Sequence, residues 1–252
     1  MFTNPLRALW ERGEVPINGW LSIPSAWTAE IMASSGYDAV TIDMQHGLMD
    51  YETAFAMLQA IGNTSAVPLV RVWWNDPALI MRLLDAGALG VICPLINSRA
   101  EAAAFVGACR YPPQGFRSYG PLRAVLCHGE GYAQSANSQI VTFAMIETLQ
   151  GLANVEEIAA TPDLDGLYIG PADLSLALGL PPATEPTDPT FFEAVDRIVA
   201  AARAHDKIVC LHARTPEYAQ RMLSKGFRLV TVGNDTNLLS GAASAITKAL
   251  KP

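Results

Sequence analysis

Eight short apolar runs recur along the chain, separated by stretches with helical spacing. They cover residues 17–23, 37–42, 67–70, 89–93, 140–146, 164–169, 208–211 and 228–232. They are mainly apolar and do not alternate strictly with polar positions, which marks strands buried on both faces. The intervening stretches carry helix punctuation. Gly36 ends one helix, Asp76-Pro77 opens another and Gly87 stops it. Strand–helix alternation repeated eight times in 252 residues predicts a parallel sheet closed into a (β/α)8 TIM barrel. A doubly wound open sheet is the alternative, but it needs a glycine-rich fingerprint after its first strand. Ile23-Pro24-Ser25-Ala26 stands there instead.

No internal repeat or low-complexity linker divides the chain, so residues 1–252 are expected to form one barrel domain. Residues 7–14 suit a short helix across the bottom. A single helix is expected over 149–160 and the last over 238–250. Residues 111–123 form a Pro- and Gly-rich loop longer than an ordinary connection, followed by a short helix up to residue 137. Residues 178–189, rich in proline, read as a surface excursion.

Composition narrows the function. Half of the residues are hydrophobic, 16% are charged and the net charge is −7. That balance argues against a nucleic-acid surface and leaves no basic membrane patch. No apolar stretch reaches the length of a membrane span, and the first residues do not resemble a signal peptide. The four cysteines lack zinc spacing and read as reduced thiols of a cytoplasmic protein.

In such a barrel the chemistry collects at the carboxyl ends of the strands. Those ends carry Asp43, Gln45 and His46, then Arg71, Glu147, the segment from Gly170 to Asp173, His212, and Asn234-Asp235. Glu147 and Asp173 end consecutive strands, and paired oxygen ligands suit a hard divalent cation such as Mg²⁺ or Mn²⁺. Each residue also has a plainer reading: Asp173 as a helix cap, Arg71 as a structural partner of Asp43, His46 as a loop residue. Lys207, Lys225, Lys248 and Lys251 are the only lysines, and none ends a strand. A Schiff-base mechanism therefore has no amine, which leaves a metal to stabilise an enolate.

The set Asp43-Met44-Gln45-His46-Gly47, Arg71, residues 110–117, Glu147 and Gly170-Pro171-Ala172-Asp173-Leu174-Ser175 resembles the HpcH/HpaI family of class II pyruvate aldolases. The resemblance runs in order over nearly the whole chain, and the Gly-Pro-Ala-Asp-Leu-Ser segment is its most specific part. It implies metal-dependent, reversible cleavage of 4-hydroxy-2-oxo acids to pyruvate and an aldehyde, with Mg²⁺, Mn²⁺ or Co²⁺ as cofactor. It further implies Glu147 and Asp173 as metal ligands, Arg71 on the 2-oxo oxygen and His46 in acid–base catalysis. Backbone groups of Gly170, Pro171 and Ala172 would hold the pyruvate carboxylate. Either Asp43, near in sequence, or Asp85, as the resemblance implies, would orient the His46 imidazole. Asp85 ends a helix at the far end of the barrel and would have to come from a neighbouring subunit. The implied assembly is a homohexamer, a trimer of dimers, with the last helix exchanged between subunits. Two positions differ from the best-known members: Gln45 replaces a Glu, and Met145 replaces a Gln that would hydrogen-bond a metal-bound water. The rival readings are an acyl-CoA lyase related to the citrate lyase β subunit and a non-catalytic small-acid-binding barrel.

Overall fold

The computed structural model describes residues 2–251; Met1 and Pro252, the two ends of the expected domain, lie outside the described residues. Helix α1 (Pro5–Glu11) leads into β1 (Ile17–Leu21), α2 (Ala26–Ala33), β2 (Ala39–Asp43) and α3 (Tyr51–Ile61). Next come β3 (Val67–Arg71), α4 (Pro77–Asp85), β4 (Gly90–Cys93), α5 (Arg99–Cys109), α6 (Leu122–His128) and α7 (Tyr132–Gln139). They are followed by β5 (Val141–Ile146), α8 (Leu149–Ala153), α9 (Val155–Ala159), β6 (Gly166–Ile169) and α10 (Pro171–Ala177). The chain ends with α11 (Pro189–Ala204), β7 (Ile208–Ala213), α12 (Pro216–Ser224), β8 (Leu229–Asn234) and α13 (Asp235–Leu250).

All eight strands pair in parallel in chain order, and β8 pairs with β1, so the sheet closes as the (β/α)8 expectation requires. The apolar runs become strands because helices cover one face and the barrel interior the other; β2 and β3 are buried along their whole length. Inside the barrel, the Asn18 amide lies between the hydroxyls of Thr41 and Thr231, and the Tyr168 hydroxyl meets Thr231 at 2.6 Å. These buried polar groups satisfy one another across four strands.

The bottom is closed by α1. Asn4 caps it and also donates to the Leu89 and Gln139 carbonyls, while the Trp10 indole donates to the Arg228 carbonyl. Asp165 accepts from both Arg7 and Arg110 there, which ties α1 and α5 to the start of β6.

Three local expectations change. The segment after the long loop forms two helices, α6 and α7, broken at Gly129 (φ 85°). The helix expected over 149–160 divides at Asn154, whose side chain donates to the Asn97 carbonyl. The last helix begins at Asp235 instead of 238, because the Asn234 side chain caps it by accepting from the Thr236 N–H. No helix among the described residues is long and apolar enough to cross a membrane.

Candidate active site

Strand register creates the site. β2 and β3 pair Asp43 with Arg71 directly, so the two side chains leave the sheet side by side. The Arg71 guanidinium donates from Nε to Asp43 Oδ1 at 2.8 Å and from Nη2 to Oδ2 at 2.7 Å. Asp43 also accepts from the Trp20 indole at 3.1 Å and from the N–H groups of Gln45 and His46. Burial works to raise the Asp43 pKa, but these donors, led by Arg71, hold it below the usual carboxylate value. Asp43 is thus an ionised anchor for Arg71, and Trp20 packs its ring 4.8 Å from the guanidinium carbon. Arg71 Nη1 is left facing the mouth, with only the Met145 sulfur 3.9 Å away.

The turn after β2 is equally constrained. Gly47 donates back to the Asp43 carbonyl, and a Cβ at Gly47 would lie 2.1 Å from that oxygen. Only glycine allows this close approach. The turn presents His46, exposed, at the lip of the mouth. Asp43 bonds the His46 backbone N–H, not its imidazole. Asp85 lies at the end of α4, where its carboxylate pairs with Arg117 at 2.7 Å. Within one chain, neither aspartate therefore bonds the His46 ring.

Across the mouth, β5 and β6 pair Ile146 with Ile169, so Glu147 and Gly170 emerge together. Leu95, in the left-handed region at φ 54°, donates its N–H to Glu147 Oε1 at 2.9 Å. Glu147 Oε2 is buried without a protein partner and packs against Gly170, where a Cβ would sit 2.3 Å from it. Burial, reinforced by the charge of Asp173, pushes the Glu147 carboxyl up to about 7. Asp173 does not cap α10: Gly170 occupies the cap position and no side chain caps that helix. The N–H groups of Ala172 and Asp173 are consequently without acceptors within the helix.

An orphaned buried carboxylate oxygen beside a second carboxylate fits a divalent cation. Glu147 and Asp173 supply two hard oxygen ligands, and substrate oxygens and waters would complete the shell. No group of three His, Cys, Asp or Glu that could hold a metal occurs among the described residues, so the pair stands without a third protein ligand.

Trp20, Met145, Arg71, His46 and the Gly170–Asp173 segment surround a cavity of about 180 Å³. Thr184, from the proline-rich excursion, and His212, from β7, form its remaining side. Burial and the nearby Arg71 charge lower the His212 imidazole to about 4, so it is neutral at pH 7.

A profile of the HpcH/HpaI aldolase/citrate lyase family matches residues 18–242. The chain belongs to that family. It is 41% identical, over 96% of its length and 97% of the relative's, to a hydroxypyruvate/pyruvate aldolase of Rhizorhabdus wittichii. It is 35% identical, over 96% of its length and 93% of the relative's, to the 4-hydroxy-2-oxo-heptane-1,7-dioate aldolase of Escherichia coli. A family structure from Burkholderia cenocepacia superimposes with a TM-score of 0.90 and 34% identity over 99% of this chain and 100% of that one.

The structure brings Asp43, His46, Arg71, Glu147, Asp173 and the Gly170–Ala172 backbone to one mouth and leaves Asp85 outside it. Sequence reading passed over Trp20, which looks like any apolar strand residue, and the Leu95 amide, which no side-chain pattern can reveal. A backbone N–H becomes visible only when the turn after β4 is seen to swing it toward Glu147.

Two outcomes are expected. Gly170→Ala forces Glu147 aside and should lower kcat/KM on the order of 10²-fold, the cost of about a 1 Å misplacement, while circular dichroism stays native. A wild-type rate would show that Glu147 does not need this contact. The second concerns His212. Because the folded imidazole holds its proton less tightly than an unfolded one, its contribution to stability is present above about pH 6.5 and lost as pH falls toward 4. Thermal unfolding across that window should show the native protein losing on the order of 2 kcal/mol relative to His212→Gln. Parallel pH dependence of the two proteins would place the imidazole in solvent.

Proposed function

We propose that this protein is a carbon–carbon lyase, a divalent-metal-dependent aldolase that reversibly cleaves 4-hydroxy-2-oxo acids into pyruvate and an aldehyde. The observation that carries this reading is the buried, partnerless Glu147 Oε2 with the Asp173 charge nearby, beside a cavity of about 180 Å³ lined by Arg71, His46 and Asp173. The names of the aldolase relatives support it. A coenzyme A thioester calls for a basic groove for its nucleotide phosphates, and the net charge of −7 with only four scattered lysines disfavours the acyl-CoA reading.

Glu147 and Asp173 would hold Mg²⁺, Mn²⁺ or Co²⁺, which when bound acts as a Lewis acid toward the 2-oxo group. Arg71 Nη1, fixed in direction because Asp43 occupies the other edge of the guanidinium, donates to the 2-oxo oxygen as negative charge builds on it. The N–H groups of Ala172 and Asp173 face the substrate carboxylate. His46 accepts the C4 hydroxyl proton. The C4–O electrons then form the aldehyde carbonyl, the C3–C4 bond breaks, and its electron pair becomes the double bond of pyruvate enolate. Protonation at C3 yields pyruvate. With Asp43 saturated by five donors, the carboxylate that orients the His46 imidazole is Asp85 of a neighbouring copy.

This last role needs an oligomer, and α13 supplies a reason for one. Asp235 is its only buried residue, and Leu238, Leu239, Ile246 and Leu250 are exposed. A 16-residue helix with an uncovered apolar face is expected to pack on a second copy. The assembly proposed is the hexamer with exchanged α13.

The deciding assay measures pyruvate release from a panel of 4-hydroxy-2-oxo acids. Turnover should vanish in excess EDTA and return with Mg²⁺, Mn²⁺ or Co²⁺, and His46→Ala should lower it by about 10²–10⁴-fold. Full activity after dialysis against EDTA refutes the metal. Light scattering should report a hexamer for the full chain and smaller species after truncation before Leu238. An unchanged mass would remove α13 from the interface.

A further inference from the structure

A second arginine is buried away from the mouth. Arg117, in the loop between α5 and α6, is 1% exposed. Its guanidinium carbon lies 4.5 Å from the centre of the Tyr111 ring and 5.5 Å from that of Tyr132, so the charge is held against two aromatic rings. Nη1 donates to the Tyr132 hydroxyl at 3.0 Å, and Nη2 donates to Asp85 Oδ1 at 2.7 Å. Asp85 is its one carboxylate partner among the described residues, and that carboxylate is a quarter exposed. The second oxygen, Asp85 Oδ2, bonds no group among the described residues and is not among the buried unpaired atoms, so it reaches the surface.

The cradle around Arg117 is fixed from several sides. The Arg117 N–H donates to the Arg110 carbonyl and the Phe116 N–H to the Gly107 carbonyl, which fastens the loop to the end of α5. Gly115 lies so close to that end that a Cβ there would sit 2.3 Å from the Gly107 oxygen. Asn137 grips Tyr111 by accepting from its N–H and donating to its carbonyl. A carboxylate at the end of a helix otherwise turns among its rotamers. Bonded through one oxygen to a fixed guanidinium, Asp85 keeps the other oxygen aimed in one direction. The same loop leaves Phe116, Tyr119 and Leu122 exposed, and the lip that bears the exposed His46 carries Leu48, Trp73 and Trp74, also exposed. Apolar rims of this kind mark surfaces that a partner covers. Contact between these two rims in neighbouring copies would bring a free carboxylate oxygen toward an exposed imidazole.

We propose that Arg117 is a positioning residue for the site of a neighbouring copy: it aims Asp85 so that Oδ2 orients the His46 imidazole of that copy. The proposal rests on the aldolase reading above, in which Asp85 works between copies, and it adds the group that holds Asp85 in place. Arg117 forms no part of its own chain's cavity. Its loss is therefore felt in proton transfer in the adjacent subunit and not in substrate binding. A residue that only secured its own loop would not produce that pattern.

The test is subunit complementation, read as pyruvate release from a 4-hydroxy-2-oxo acid with Mn²⁺ present. Arg117→Gln should lower kcat on the order of 10²-fold, the cost of about a 1 Å misplacement, with KM unchanged. The variant is then co-expressed with an excess of His46→Ala chains, and the mixed oligomers are isolated through two different tags. The His46→Ala chains lack the base but carry an intact Arg117 and Asp85. Activity per Arg117→Gln chain should therefore rise about tenfold or more over the unmixed variant. Asp85→Asn, mixed in the same way, is the control and should rise too. Arg117→Lys keeps a cation between the rings, so it serves should the glutamine variant fail to fold. It should lose less kcat and be restored by the same mixing. Wild-type kcat in the glutamine variant, or no gain on mixing while Asp85→Asn gains, makes Arg117 a support of its own chain and overturns the proposal. No gain for either variant overturns the action of Asp85 between copies as well. No pyruvate from the unaltered protein overturns the aldolase reading itself.

Discussion

The buried fork between Arg71 and Asp43 is the constraint on which the mouth depends. Two charges are removed from water at adjacent strand ends, an arrangement that persists only when the geometry is good and the remaining lone pairs are satisfied. Here both conditions hold, because register puts the residues opposite each other and Trp20, Gln45 and His46 supply the further donors. The pair fixes three things together. Arg71 keeps one free edge toward the cavity, the turn bearing His46 folds over the carboxylate, and the Trp20 ring is held as the floor beneath the guanidinium.

Opposite this saturated carboxylate stands an unsaturated one. Asp43 and Glu147 are both buried carboxylates at strand ends, yet their proton affinities move in opposite directions. The difference lies in the donors. Asp43 has five, while Glu147 has the Leu95 amide and a like charge nearby at Asp173. An environment that disfavours a lone charge at Glu147 favours the arrival of a cation, and the same physics makes Asp43 indifferent to one. One barrel end thus holds an internal ion pair on one side and an acceptor of external charge on the other.

The proline-rich excursion between α10 and α11 adds the third side. It carries Thr184 into the mouth and is held by Glu185 and Pro186 against the β7–α12 turn. Loops of this kind vary more freely than the strands beneath them. Variation here would reshape that side of the mouth without touching Arg71, Glu147 or Asp173.

What the sequence by itself determined was the barrel and the charged residues at the carboxyl ends of its strands. Eight mainly apolar runs alternating with helical stretches have few solutions other than a parallel sheet covered on both faces, and strand-end carboxylates stand out on a chain with few charges. Tertiary structure decided what each residue does, because that depends on distance and partners. Three positions apart in sequence, Asp43 and His46 suggest a relay; in space Asp43 belongs to Arg71 and touches His46 only through its backbone. Asp173 looks like a helix cap until Gly170 is found in that position. The need for glycine at 170 comes from Glu147, 23 residues earlier, and the Leu95 amide has no side-chain signature at all. Local pattern specifies which backbone a segment adopts; burial and hydrogen bonding between distant segments decide which of its polar groups remain free to react.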